Sequence, residues 1–216
     1  MKQIIKDRVL GLIREYRLIP VVRVSSREDA MSAARGIILA GLPLIEITST
    51  VPDAFGVISE LSQQYRGKLE VGAGTIFDSQ TCQTAIQAGA SFIVSPLLDL
   101  HTIEMAREHE IVCIAGALTS TEAVVAWRAG ADFVKIFPCG SVGGSSYIRA
   151  LKGPFPQIEF VPSSGVNLAN ARDFLDAGSA AVAVGEPIFN RKALQEKNVE
   201  QIAEAARQFM KVCKAN

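Results

Sequence analysis

Three ionisable side chains stand out in this 216-residue sequence because each falls in an otherwise apolar stretch. Lys135 lies in Phe133-Val134-Lys135-Ile136-Phe137, Glu46 in Leu44-Ile45-Glu46-Ile47-Thr48, and Arg23 follows Ile19-Pro20-Val21-Val22. Successive side chains of a strand point to opposite faces, so Lys135 shares a face with Phe133 and Phe137, Glu46 with Leu44 and Thr48, and Arg23 with Ile19 and Val21. An amine held among apolar groups loses the solvation that favours its ammonium form, which frees it to attack a carbonyl carbon. A carboxylate of the same parity can move protons for carbinolamine dehydration and enamine formation, and low-dielectric surroundings raise its pKa toward neutrality. A guanidinium at a strand end suits a substrate carboxylate, because its planar fork binds one at two points. Each group also has a plainer reading. Lys135 could reach solvent or a carboxylate at the strand end, Glu46 could form a buried ion pair with Lys135 or Arg23, and Arg23 could make a salt bridge at a rim.

Other polar groups gather at strand ends. Gly72-Ala73-Gly74-Thr75 offers bare backbone and a hydroxyl to a small anion. As a dinucleotide fingerprint this run fails, since the third glycine and the following acidic residue are missing. Pro162-Ser163-Ser164-Gly165 and Gly185-Glu186-Pro187 end two later strands, where serines and glycines fit an anion and Glu186 repels one. Ser145 and Ser146 read mainly as a helix cap before Tyr147, with anion binding at the helix N-terminus as the second reading. His101 and His109 are too few and too far apart for a histidine-rich metal site and are expected on a helix surface or its ends.

Positioning these groups requires strands, and eight short β-branched runs supply them: LIPVVRV, LIEIT, LEVGAG, FIVSP, VCIAG, FVKIF, IEFVP and AVAVG. Amphipathic segments separate them, and strict strand–helix alternation means parallel strands joined by crossover helices. Eight units predict closure into a (β/α)8 TIM barrel, with an extra N-terminal helix before the first strand; an open doubly wound sheet is the alternative. Ala40-Gly41, Ala88-Gly89, Ala129-Gly130 and Ala177-Gly178 each close a helix just before a strand, where glycine supplies a left-handed helix end. In such a barrel the chemistry sits at the C-terminal ends of the strands.

A single domain over residues 1–216 is expected from the length and the 49 % hydrophobic content. Lysine plus arginine and aspartate plus glutamate number 22 each, so no net field favours nucleic acid or an anionic membrane surface, and a small-molecule partner is expected. Cys82, Cys113, Cys139 and Cys213 are scattered without a C-x-x-C pair, which reads as reduced thiols in the core or on helix surfaces. The N-terminal stretch has helix spacing and not that of a signal peptide, and no apolar run reaches membrane-spanning length; a soluble, cytoplasmic chain is expected.

Taken together, VVRVSS (21–26), LIEITSTVPDA (44–54), VGAGT (71–75), FIVSP (92–96), AGALTSTEA (115–123), VKIFP (134–138), KGPFP (152–156) and VPSSGVN (161–167) make the chain resemble one family along almost its whole length. That family is the 2-keto-3-deoxy-6-phosphogluconate (KDPG) and 4-hydroxy-2-oxoglutarate (KHG) aldolases. The resemblance implies a class I aldolase without a metal or other cofactor, usually a homotrimer, that cleaves a 2-keto-4-hydroxy acid to pyruvate and an aldehyde. In that scheme Lys135 aligns with the Schiff-base lysine and Glu46 with the acid/base glutamate. Arg23 and Thr75 with the Gly74 backbone would hold the pyruvyl carboxylate, and Pro96 and Phe137 would line the pocket. Some members carry arginine where this chain has Thr50, so the clamp here leans more on Arg23. The family commonly has Thr-Gly-Gly after the seventh strand and Gly-Ser after the eighth, against Ser163-Ser164-Gly165 and Gly185-Glu186 here. The pyruvyl half of the site matches and the distal half departs. Two other readings stay open: a different phosphate-binding barrel, such as a sugar-phosphate isomerase or a thiamin-phosphate-synthase-like protein, and a keto-acid-binding or structural barrel with little activity.

Overall fold

The computed structural model describes residues 2–214; Met1 and the last two residues of the expected 1–216 unit lie outside them. After α1 (Lys2–Tyr16), strands and helices alternate: β1 (Leu18–Val22), α2 (Arg27–Ala40), β2 (Leu44–Thr48), α3 (Ala54–Gln64), β3 (Glu70–Gly74), α4 (Ser79–Gln87), β4 (Phe92–Val94) and α5 (Leu100–Glu108). The second half continues with β5 (Val112–Ala117), α6 (Ser120–Arg128), β6 (Phe133–Ile136), α7 (Ser145–Lys152), β7 (Phe160–Pro162), α8 (Ala171–Asp176), β8 (Val182–Val184), α9 (Arg191–Gln195) and α10 (Val199–Lys214). All strands are parallel, in the order β7-β6-β5-β4-β3-β2-β1-β8. The seam between β7 and β8 is closed by the bridge of Ser163 with Ala183 and by the Ala180 N–H donating to the Phe160 carbonyl at 2.9 Å. This is a (β/α)8 barrel.

Parity divides the core as the alternation of side chains requires. Ile19, Leu44, Phe92, Val94, Ile114, Phe133 and Val161 fill the barrel interior, while Leu18, Val22, Ile45, Ile47, Val134 and Ile136 pack outward against the helices. Helix α1 covers the bottom. Its Val9 and Ile13 join the interior cluster, and Lys6, Arg8 and Arg14 pair with Asp132, Glu70 and Glu159 at the starts of three strands. Gly41, Gly89, Gly130 and Gly178 all have left-handed φ, between 79° and 101°, as the four Ala-Gly junctions predict.

Several strands are shorter than their apolar runs, and β1 stops at Val22, leaving Arg23 on the loop that follows. A 3-10 turn at Cys139–Val142 and helix α9 are additional to the expected elements. Ser145 and Ser146 do not cap α7. Gly144 holds the cap position at φ 60°, and the Ser146 hydroxyl donates back to the Gly143 carbonyl at 2.7 Å. His101 is exposed in the first turn of α5 and His109 ends that helix, half-buried. All four cysteines are free and buried. Burial pushes the thiols of Cys139 and Cys213 up to about 11 and that of Cys82 to about 12, so they stay protonated and inert.

Candidate active site

Glu46 is the third residue of β2 and only 1 % exposed; Lys135 is the third residue of β6 and 4 % exposed. Both therefore lie inside the barrel, in the half where chemistry is expected. Neither carboxylate oxygen of Glu46 has a hydrogen-bond partner. Burial pushes its pKa up, and the nearby charges of Lys135 and Arg23 moderate the rise without cancelling it. Lys135 Nζ lies 5.4 Å from the centre of the Phe137 ring, which closes one side of the site.

Two glycines of β3 act as space-makers for their neighbours. A Cβ at Gly74 would collide with the Glu46 carboxylate, and one at Gly72 with the ring of Phe92. Gly74, expected to bring backbone to a substrate anion, also leaves room for the Glu46 carboxylate, which lies against it. Thr75 has φ 62°, a left-handed conformation costly for a β-branched residue, and the Ser49 hydroxyl holds its carbonyl at 2.8 Å. Thr75 Oγ1 accepts from Arg23 Nη2 at 2.9 Å, and Thr50 Oγ1 accepts from Arg23 Nη1 at 3.2 Å. Arg23, Thr50 and Thr75 are thus brought together from three loops at the mouth of the barrel. Pro96 follows β4 and packs against Gly116 of β5, where any side chain would strike the Pro96 backbone.

The groups expected at the distal end are divided. Ser163 is buried, and its carbonyl accepts from Cys139 N at 2.9 Å. Ser164 and Gly165 have φ of 74° and 81° and are exposed. A cleft of about 430 Å³ lies beside them, lined by Gly140, Gly144, Ser145, Ser164, Gly165 and Asn170 among others, and includes neither Lys135 nor Glu186. Gly185 lies close to the Val21 carbonyl of β1, and Glu186 is exposed. The left-handed backbone at Ser164 fits a position where glycine is the unstrained choice, so the loop keeps a glycine-like course with a side chain added. Two residues not weighed from the sequence matter here: Ser49, which anchors Thr75, and Thr48, whose inward parity was visible but whose hydroxyl had no evident partner. Among the described residues, no three His, Cys, Asp or Glu side chains converge as a metal-binding set.

Residues 9–205 match the sequence profile of the KDPG and KHG aldolases. The chain belongs to that family. It is an aldolase, a carbon–carbon lyase. Among its relatives, the 2-dehydro-3-deoxy-phosphogluconate aldolase of Pseudomonas aeruginosa is 35 % identical over 168 residues, 78 % of this chain and 76 % of the relative. The KHG/KDPG aldolase of Escherichia coli is 29 % identical across 91 % of this chain and 92 % of its own. Among solved structures, the KDPG aldolase of Legionella pneumophila, with pyruvate captured as a covalent carbinolamine, superposes with a TM-score of 0.85 at 27 % identity, covering 92 % of this chain and 96 % of that one. Family membership sets aside the reading of a different phosphate-binding barrel, such as a sugar-phosphate isomerase or a thiamin-phosphate-synthase-like protein.

Proposed function

We propose that this aldolase cleaves a 2-keto-4-hydroxy acid to pyruvate and an aldehyde through an imine on Lys135, with Glu46 moving the protons. The observation that carries the reading is the pairing of a buried lysine with a buried carboxylate whose two oxygens have no protein partner. A polar group buried without hydrogen bonds is rare outside functional sites. The covalent carbinolamine of the Legionella pneumophila enzyme supports the same chemistry here.

The Lys135 amine attacks C2 of the keto acid, and the resulting carbinolamine loses its hydroxyl as water after Glu46 supplies a proton. The imine, as its protonated form, then draws the electrons of the C3–C4 bond as that bond breaks. A base removes the C4 hydroxyl proton, so the aldehyde leaves and an enamine of pyruvate remains. Protonation at C3 and hydrolysis of the imine return pyruvate and free Lys135. A carboxyl whose pKa is raised by burial holds its proton to higher pH than an exposed glutamate, which suits it to proton donation and return. Arg23 and Thr75 take the substrate carboxylate, with Pro96 and Phe137 beside the keto carbon.

At the distal end, Ser163, Ser164, Gly165, Gly185 and Glu186 favour a tail that is unphosphorylated, or that carries hydroxyl or cationic groups, over a phosphate. One domain over the whole chain, assembly as a homotrimer and a cytoplasmic location complete the reading by family likeness. No helix among the described residues is long and apolar enough to cross a membrane. Phe155, in the loop before β7, packs partly onto the chain's own core.

Borohydride reduction in the presence of pyruvate tests the imine. A stable adduct on Lys135, absent in Lys135→Ala together with retro-aldol activity, is expected. Mass spectrometry that found the adduct on another lysine, or none, would refute the mechanism.

A further inference from the structure

The hydrogen bonds around Arg23 have a direction set by proton count. The Thr48 hydroxyl, fully buried, lies 3.0 Å from the Val22 carbonyl, which can only accept. A threonine hydroxyl has one proton, so that bond uses the proton of Thr48. Thr48 Oγ1 is also 2.8 Å from Thr50 Oγ1, and the donor in that contact must then be Thr50. With its own proton directed inward, Thr50 presents only lone pairs outward, where Arg23 Nη1 donates to it. The chain runs Arg23 to Thr50 to Thr48 to the Val22 carbonyl. Thr75 differs: it accepts from Arg23 Nη2, and its hydroxyl proton remains free. Of the five guanidinium N–H bonds, two go to the threonines, leaving the other three for a carboxylate.

We propose that Thr48 is a positioning residue for the substrate carboxylate: its buried hydroxyl orders the protons so that Thr50 orients Arg23 and gives nothing to substrate, while Thr75 is the threonine that donates. The proposal rests on the imine reading and assigns separate work to threonines that look equivalent in the sequence. Thr48 also ties the end of β2 to the residue that precedes Arg23, so the guanidinium is fixed from its main chain as well as from its tip. Losing Thr48's hydroxyl would release the Thr50 proton and let that side chain turn, so that its lone pairs are no longer held toward Nη1.

The test compares pyruvate with acetone, which has the same carbonyl and a methyl in place of the carboxylate, by reductive trapping on Lys135. Thr48→Val is expected to raise the half-saturating pyruvate concentration about tenfold, the scale of one hydrogen bond to a charged group. Maximal trapping at saturation, and the acetone dependence, are expected to be unchanged. Thr48→Ser should restore pyruvate binding to within about twofold. Thr50→Val, at an exposed position and so safe for folding, should match the effect of Thr48→Val, and the double variant should be no worse than either. Pyruvate binding unaffected by Thr50→Val, or an equal loss for pyruvate and acetone, would overturn the proposal and reduce Thr48 to a structural residue. Pyruvate adduct missing from Lys135 in the unmodified enzyme would instead overturn the imine reading, and this proposal with it.

Discussion

Glu46 shows how one side chain can be costly to the fold and useful to the chemistry. Its carboxyl is buried, unpaired and held with a raised pKa chiefly by desolvation, with Lys135 and Arg23 opposing that rise. A group whose pKa is higher in the folded than in the unfolded chain supports the fold while it is protonated in both, and that support fades as pH rises through the folded value. Glu46 therefore favours folding at acid pH and weighs against it near neutrality. Glu46→Gln, which cannot ionise but leaves a buried amide in place, is expected to be more stable than the parent at pH 7 by about 1 kcal/mol, because only the charge-specific part of the burial cost is removed. The gain should shrink as pH falls toward 4.5, the ordinary value for glutamate. The same variant should lose roughly 10²- to 10⁴-fold in kcat, as expected for removal of a general acid–base. Thermal unfolding at both pH values, with pyruvate release in parallel, checks both halves. A variant no more stable at pH 7 than its parent would mean that Glu46 is already satisfied in solution.

At the scale of elements, the sequence carried the strands, their parity and the four glycine helix ends, because each depends on local spacing. Placing Lys135 and Glu46 on the inward face needed only the two-residue period of a strand, whereas Arg23 lies on the loop after β1. What spacing could not carry was who meets whom across strands. Gly74 looked like a place for an anion, yet the register that sets Thr48 beside Gly74 and Glu46 beside Gly72 brings the Glu46 carboxylate over Gly74. Ser145 and Ser146 looked like a cap, but paired glycines upstream turn the chain so that Gly144 takes that position. The loops after β7 and β8 flank the barrel seam, and Glu186 is the one acidic residue of the run 185–187. A carboxylate there opposes a phosphate dianion. Glu186→Ser is expected to raise kcat/KM for a phosphorylated 2-keto-3-deoxy acid about tenfold or more and to leave an unphosphorylated substrate within about threefold. Pyruvate release from matched substrates decides it; equal responses to both would show that Glu186 does not read the distal group.

Across the whole molecule, the barrel has two ends with different work. The C-terminal ends of the strands carry Arg23, Thr75 and Phe137, with buried polar groups and strained backbone at Thr75 and Ser164. The opposite end is closed by α1, which puts Val9 and Ile13 onto the first residues of several strands, including Leu44, Phe92 and Phe133. Its three ion pairs to Glu70, Asp132 and Glu159 set the orientation of α1 more than they hold it, since partly exposed pairs contribute little. The stabilisation comes from the apolar contact. Ile13 is fully buried, and Ile13→Ala should cost about 2–5 kcal/mol, lowering Tm by roughly 5 to 15 °C. Separation of the two ends predicts that kcat at 25 °C stays within about twofold while stability falls, because in barrels of this kind the bottom serves the fold and the top serves the reaction. Calorimetry and steady-state assays on the same preparation test the separation. A fall in kcat matching the loss of stability would instead couple α1, through the interior layer of Phe133, to the Lys135 amine two residues further along β6.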